Sequence, residues 1–271
     1  MTSAAAPAKI NLALVVGPRR KGGRHEVATV LQRVDLADSL NLDRSDRLQV
    51  TGFADDTIVA AALSGLAAAA GVRPLWHVTI EKRIPVAAGL GGGSSDAAAA
   101  LRLANDTLAE PLPVARLAEC AARVGADVPF FLEPGPQLGT ADGTELTPLA
   151  LPHDYHVVLL LPDGAAKMST ATVYDAFDDR GGEAGFEERR RELAAAIAAV
   201  RAPRDLASLP RNDLASSPCT AELERLGAFR ADVSGAGPVV YGLFEDEAAA
   251  NAAAAALGPS ATWISRPTWY G

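Results

Sequence analysis

Residues 85–96 read Pro85-Val86-Ala87-Ala88-Gly89-Leu90-Gly91-Gly92-Gly93-Ser94-Ser95-Asp96, and this stretch decides the fold. An apolar strand pattern, His77-Val78-Thr79-Ile80, runs into it, and an alanine-rich helical pattern, 97–103, runs out of it. A glycine-dense turn that opens a helix turns several backbone N–H groups to one side, with the positive end of the helix dipole behind them. That arrangement suits a polyphosphate. Glycine matters because a side chain would hold the phosphate off the backbone, and because such turns use positive φ. A flexible linker would not be set tightly between a strand and a strong helix former.

Spelling excludes two commoner phosphate motifs. A Walker A loop ends in Gly-Lys-Ser/Thr, whereas these glycines lead into Ser94-Ser95-Asp96 without a lysine. A dinucleotide fingerprint needs G-x-G-x-x-G, and the third place falls on Ser94 or Asp96 in the two available registers.

The strand–loop–helix unit sits in a chain of 271 residues, long for one core and comfortable for two lobes. Hydrophobic residues make up 49% but aromatic residues only 5%, so the core is expected to consist of Ala, Leu and Val. The net charge of −8 argues against a nucleic-acid partner or an anionic membrane surface. Positive potential for a phosphate must therefore be gathered locally, as in a small-molecule site. Cys120 and Cys219 lack metal-ligand spacing and read as reduced thiols. No apolar run approaches the ~20 residues of a membrane span, and Lys9 and Asn11 interrupt the first apolar stretch. The expectation is a cytoplasmic protein, monomeric or homodimeric, acting on a small molecule.

Periodicity predicts strands at 8–16, 26–35, 40–51 and 75–83, with a basic glycine-rich loop at 17–23. Helices are predicted at 57–70, from the glycine loop to about 108, and from 114 to near Gly125. Short strands are expected within 133–152, with a lobe boundary near 150, giving lobes 1–150 and 151–271. The second half reads as a strand at 155–161 and helices at 170–177 and 183–200. A helix–strand–strand–helix–strand run then ends at Arg266. This order points to an α+β sandwich rather than a doubly wound parallel sheet.

Three motifs in order carry a resemblance: Pro7-Ala8-Lys9-Ile10-Asn11-Leu12, the glycine loop, and Val233-Ser234-Gly235-Ala236-Gly237-Pro238. Together they resemble the GHMP kinases, ATP-dependent small-molecule kinases. Gly23-Arg24-His25, Gly125-Ala126-Asp127-Val128-Pro129-Phe130-Phe131 and Arg211-Asn212-Asp213-Leu214 narrow the resemblance. They point to members that phosphorylate the 2-hydroxyl of a cytidine-diphosphate sugar alcohol in isoprenoid precursor synthesis. The resemblance covers essentially the whole chain. It implies two α+β lobes, a ribosomal-protein-S5-like N-terminal lobe and a ferredoxin-like C-terminal lobe, with ATP and Mg²⁺ as cofactors and no protein-held metal.

By resemblance Asp127 is the catalytic carboxylate and Lys9 its partner. Alone, an aspartate ahead of Pro129 reads as a turn residue. A hydroxyl attacking a γ-phosphoryl group must shed its proton, and a carboxylate in reach can accept it or orient the hydroxyl. A neighbouring lysine balances charge on the transferring group. Asn11 lies two residues beyond Lys9 and shares its face on a strand. The resemblance assigns residues 85–95 and Lys82 to ATP, with Ser94 and Ser95 as phosphate or Mg²⁺ donors or the helix N-cap. It assigns Asn11, Arg24, His25, Thr170, Tyr174 and Gly235 to the substrate.

Two positions depart from the family pattern. Arg24 stands where a tyrosine usually stacks on the cytosine, and Asp56-Thr57-Ile58 replaces the usual Asp-Asn-Leu. Arg24 can replace one wall by guanidinium stacking, with Tyr174 as the other wall and His25 at the base edge. It can equally mark a different alcohol, such as homoserine or mevalonate. A catalytically silent ATP- and metabolite-binding relative is a further alternative, against which the retained Lys9 and Asp127 speak.

Overall fold

The computed structural model describes residues 2–53, 57–165, 169–258 and 260–269. Asp56, part of the departure noted above, lies outside them.

The chain begins with two long antiparallel strands, β1 (Thr2–Arg19) and β2 (His25–Arg44). β3 (Gln49–Thr51), α1 (Ile58–Ala70), β4 (Trp76–Glu81), α2 (Gly92–Asp106) and α3 (Val114–Val124) follow. A 3₁₀ turn at Pro129–Leu132 leads to β5 (Gln137–Thr140) and β6 (Glu145–Pro148). The second half runs β7 (His156–Leu161), α4 (Thr170–Asp179), α5 (Phe186–Ala199), a 3₁₀ turn at Pro203–Ser208 and α6 (Cys219–Arg225). It ends with β8 (Arg230–Val233), β9 (Val240–Phe244), α7 (Glu247–Ala256), β10 (Ala261–Ser265) and β11 (Pro267–Thr268).

The strands form two sheets, one of seven strands with β2 at its centre and one of four in the order β10-β7-β9-β8. The four-stranded sheet is antiparallel throughout. This is the expected α+β architecture.

Alternation along the strands builds three layers of core. On β7, Val158 and Leu160 face α6 and α7, packing with Leu223, Ala250 and Ala253. Val157 and Leu159 point the other way and meet Ala8, Ile10 and Leu12 of β1. The seven-stranded sheet turns its opposite face to α1, α2 and α3, where Val78 and Ile80 pack against Leu63 and the run Ala97–Ala100. Small alanines let α2 lie close to the sheet. Because Ala8, Ile10 and Leu12 fill the core between the sheets, Lys9 and Asn11 project to the other side of β1.

Two expectations are corrected, and one strand is added. The predicted strands at 26–35 and 40–51 are one continuous strand to Arg44, and β3 is separate. Polar residues at the junction have partners: Asp35 Oδ1 accepts from Arg266 N (2.9 Å) and buried Asp38 Oδ1 accepts from Ile84 N (2.8 Å). The basic loop at 17–23 is shorter than predicted, since β1 continues to Arg19, which pairs with His25. The short β11, which pairs with β2, carried no sequence signal: two residues are too few for periodicity.

Candidate active site

α2 begins inside the glycine run, at Gly92, with Gly91 as its N-cap in a left-handed conformation (φ 70°). Ser94 and Ser95 therefore stand within the first turn, and neither is the cap. Gly89 (φ 82°) has a tighter constraint: a Cβ there would sit 2.1 Å from Ser234 O. The loop is wedged against the segment after β8, joined by Ser234 Oγ donating to Gly89 O (2.9 Å) and Val239 N to Ala88 O (3.2 Å). Lys9 N donates to Leu90 O (2.9 Å), which fastens the loop to β1 as well.

These contacts enclose a cleft of about 780 Å³. It is lined by Lys9, Asn11, Arg24, His25, Lys82, residues 85–94, Asp127, Thr170, Tyr174 and Gly235. The prediction fails at Ser95. Its side chain points into the protein, and its Oγ has no hydrogen-bond partner among the described residues. Helical geometry is the reason, since Ser94 and Ser95 diverge by about 100° around the axis.

Lys9 is buried and Asp127 half-exposed to the cleft, with Nζ and Oδ2 3.6 Å apart. Lys9 Nζ donates to Asn11 Oδ1 (2.6 Å), Asn11 Nδ2 to Thr29 Oγ1 (2.8 Å), and Thr29 Oγ1 to Ala13 O (2.8 Å). This relay fixes the ammonium through β1 and β2. Thr29, which also lines the cleft, gave no signal in sequence because its bond to Asn11 spans 18 residues. Asp127 sits in the turn between α3 and the 3₁₀ turn. That turn is held by buried Arg33, which donates to the carbonyls of Phe130 and Glu133 and lies over the Phe130 ring.

Lys82 lies under the loop between two buried carboxylates, bonded to Asp38 Oδ2 and to Asp96 Oδ2 (2.7 Å). A Cβ on Gly92 would come 3.3 Å from its Nζ, so the ammonium stands at the start of α2. Burial pushes the Asp96 carboxyl up to about 7; Lys82 lowers it and Asp38 raises it. Above its unfolded value Asp96 favours the protonated folded form. The folded state therefore loses stability as pH rises from about 4 to about 7. Asp96→Asn removes this titration while keeping the side chain's shape. Urea unfolding midpoints at pH 5 and pH 8 should show the variant gaining on the parent at the higher pH. An equal difference at both pH values would contradict the assignment.

The opposite wall is aromatic. Ser169 Oγ caps α4 by accepting from Thr172 N (3.1 Å) and places Thr170 and Tyr174 one turn apart toward the cleft. Tyr174 stacks on His25 with centroids 4.7 Å apart and planes at 24°. Burial, with the nearby Asp127 charge, pushes its phenol up to about 12. His25 Nε2 donates to Asp178 Oδ1 (2.7 Å), which leaves Nδ1 as the ring's remaining polar atom. Arg24 is tied to Asp142 (2.8 Å), which also accepts from Thr144 Oγ1 (2.6 Å). One face of Tyr174 is thus already occupied by His25, a pairing the sequence did not reveal.

Among the described residues no cluster of three or more His, Cys, Asp or Glu side chains is set to hold a metal. No described helix is long and apolar enough to cross a membrane.

The model for the GHMP kinases N terminal domain matches residues 57–135, and that for the GHMP kinases C terminal domain matches residues 187–261. A 4-diphosphocytidyl-2-C-methyl-D-erythritol kinase of Syntrophotalea carbinolica is 36% identical, over 97% of this chain and 96% of its own. One from Salinispora arenicola is 38% identical, over 91% and 83%. A crystal structure of 4-(cytidine 5'-diphospho)-2C-methyl-D-erythritol kinase superposes with a TM-score of 0.78 at 30% identity, over 98% of this chain and 99% of that one. The glycine cradle at the start of α2 and likeness along nearly the full length lead to one conclusion: this chain belongs to the GHMP kinases.

Proposed function

We propose that this protein transfers the γ-phosphoryl group of ATP to the 2-hydroxyl of 4-diphosphocytidyl-2-C-methyl-D-erythritol, a step in isoprenoid precursor synthesis. The observation that carries the reading is the Lys9–Asp127 pair, 3.6 Å apart, at the mouth of the glycine cradle and opposite the His25–Tyr174 stack. The lobes divide at 150, between the end of β6 at Pro148 and the start of β7 at His156. The enzyme is cytoplasmic, monomeric or homodimeric, and takes small molecules only.

ATP lies with its phosphates on the N–H groups of residues 89–94, and Lys82 adds positive charge beside Gly92. The alcohol enters between Asp127 and the aromatic wall. Asp127 orients its 2-hydroxyl and takes up the proton that the attack releases. Lys9, held by Asn11, neutralises charge on the transferring group. The Ser94 hydroxyl is a hard oxygen donor facing the cleft and would meet the Mg²⁺ that comes with ATP, which supplies charge neutralisation at the phosphates. Residues of both lobes line the cleft, among them Asp127 of the first and Tyr174 and Gly235 of the second.

The cytosine stacks on the face of Tyr174 that His25 leaves free, with the Arg24 guanidinium beside it and His25 Nδ1 and Thr170 at its edge. Tyr174→Ala should weaken the cytidyl alcohol by about 1–3 kcal/mol. Arg24→Leu should do so to a smaller extent, and Arg24→Tyr should be tolerated. The loss belongs in KM for the alcohol rather than in kcat, because these groups bind ground and transition states alike. If KM ignores both Tyr174→Ala and Arg24→Leu, the cytosine pocket is wrong and a smaller alcohol, such as homoserine or mevalonate, becomes the better substrate.

A further inference from the structure

The segment Arg211-Asn212-Asp213-Leu214 stood out in the sequence, yet none of its polar side chains lines the cleft. Its hydrogen bonds show what it holds. The Asn212 side-chain amide donates to Val233 O (2.9 Å) and Gly235 O (2.7 Å), and its Oδ1 accepts from Leu214 N (2.8 Å). Both amide hydrogens and the oxygen are therefore used. The next residue reaches in the opposite direction: Asp213 Oδ2 accepts from Val16 N (2.8 Å), and Asp213 N donates to Leu14 O (2.9 Å). Arg189 braces this end by donating to Asp213 Oδ2 (3.1 Å) and Val16 O (3.0 Å).

Two consecutive residues thus bridge β1 and the loop after β8. The loop is the part that meets the reacting groups. A Cβ on Gly235 would lie 3.4 Å from each of Lys9 Nζ, Asn11 Oδ1 and Gly89 O. The space beside the Gly235 backbone is therefore bordered by the ammonium, by the amide that orients it and by the phosphate cradle. Ser234, one residue earlier, donates to Gly89 O (2.9 Å).

We propose that Asn212 is a positioning residue for phosphoryl transfer: by clamping the carbonyls of Val233 and Gly235 while Asp213 grips β1, it sets the Gly235 backbone that fixes the Lys9 ammonium against the glycine cradle. The inference rests on the role given to Lys9 above. Asn212 touches neither ATP nor alcohol and acts through Gly235. Removing its amide leaves two carbonyls without their donors and lets the loop relax away from Lys9. The same clamp seats Leu214, whose side chain lines the cleft and packs beside Tyr174.

A double-mutant cycle separates this role from simple support of the fold. Asn212→Ala, Lys9→Ala and the double variant are assayed for kcat and KM, with thermal melting alongside. Asn212→Ala should lower kcat about tenfold or more in the parent but less than about threefold in the Lys9→Ala background, since its effect passes through Lys9. If Asn212→Ala melts below the assay temperature, Asn212→Ser, which keeps a short donor, carries the same cycle. Equal fold-losses in the two backgrounds, or an Asn212→Ala enzyme with parental kcat, would overturn the inference alone. A Lys9→Ala enzyme with unimpaired turnover would overturn the functional reading and this inference with it.

Discussion

Asp127→Asn is expected to lower kcat by about two orders of magnitude or more, while affinity for a non-hydrolysable ATP analogue stays within about threefold of the parent. The carboxylate is half-exposed and turned to the cleft, where its one close charged neighbour among the described residues is Lys9, 3.6 Å away. Its turn is held from behind by Arg33 through the carbonyls of Phe130 and Glu133. The side chain is therefore not needed to keep the turn in place. The amide keeps the size of the carboxylate but neither takes up the proton nor presents a negative oxygen to the hydroxyl. Isothermal titration with the analogue and steady-state turnover give the two readings. Near-normal turnover would make Asp127 a turn residue and nothing more.

Gly89→Ala should abolish nucleotide binding, the larger of the two loop effects. The new methyl carbon would meet Ser234 O at 2.1 Å, and the φ of 82° disfavours any side chain there. Both the backbone cradle and the Ser234–Gly89 hydrogen bond must give way. Gly92→Val is a milder test, because a Cβ at Gly92 would meet Ile84 Cγ2 at 3.1 Å and Lys82 Nζ at 3.3 Å with ordinary φ. Thermal melting runs alongside, because Ala88 and Leu90 on either side of Gly89 are buried in the core with Ile84, so the melting temperature should fall as well. Unchanged affinity for the ATP analogue would move the phosphate site elsewhere.

The cradle was legible in sequence because strand, turn and helix each leave a local signature, and glycine spelling reports where backbone must approach a ligand. Alternation on β1 made Lys9 and Asn11 legible in the same way, with Ala8, Ile10 and Leu12 marking the buried side. Asp127 was not legible by itself, since a turn aspartate before Pro129 looks the same in any protein. Its weight came from company.

Partners separated widely along the chain left no local trace. Asp38 is 44 residues from Lys82, and Asp178 is 153 residues from His25. Local pattern left Asp38 between two predicted strands, when it is the buried acceptor, inside one strand, for Lys82 and for the amides of Arg83 and Ile84. Ser95 was misread for a different reason: the helix begins three residues earlier than the end of the glycine–serine run, which turns that hydroxyl inward.

The central claim is a kinase with a cytidyl alcohol as acceptor. It is tested most directly by ADP release in a coupled assay with ATP and Mg²⁺, offering 4-diphosphocytidyl-2-C-methyl-D-erythritol, homoserine and mevalonate in parallel. The account predicts turnover with the cytidyl alcohol at a kcat/KM at least about a hundredfold above the other two, a ratio that the extra base contacts can supply. ADP release that is equal across the three, or that favours homoserine or mevalonate, would contradict it.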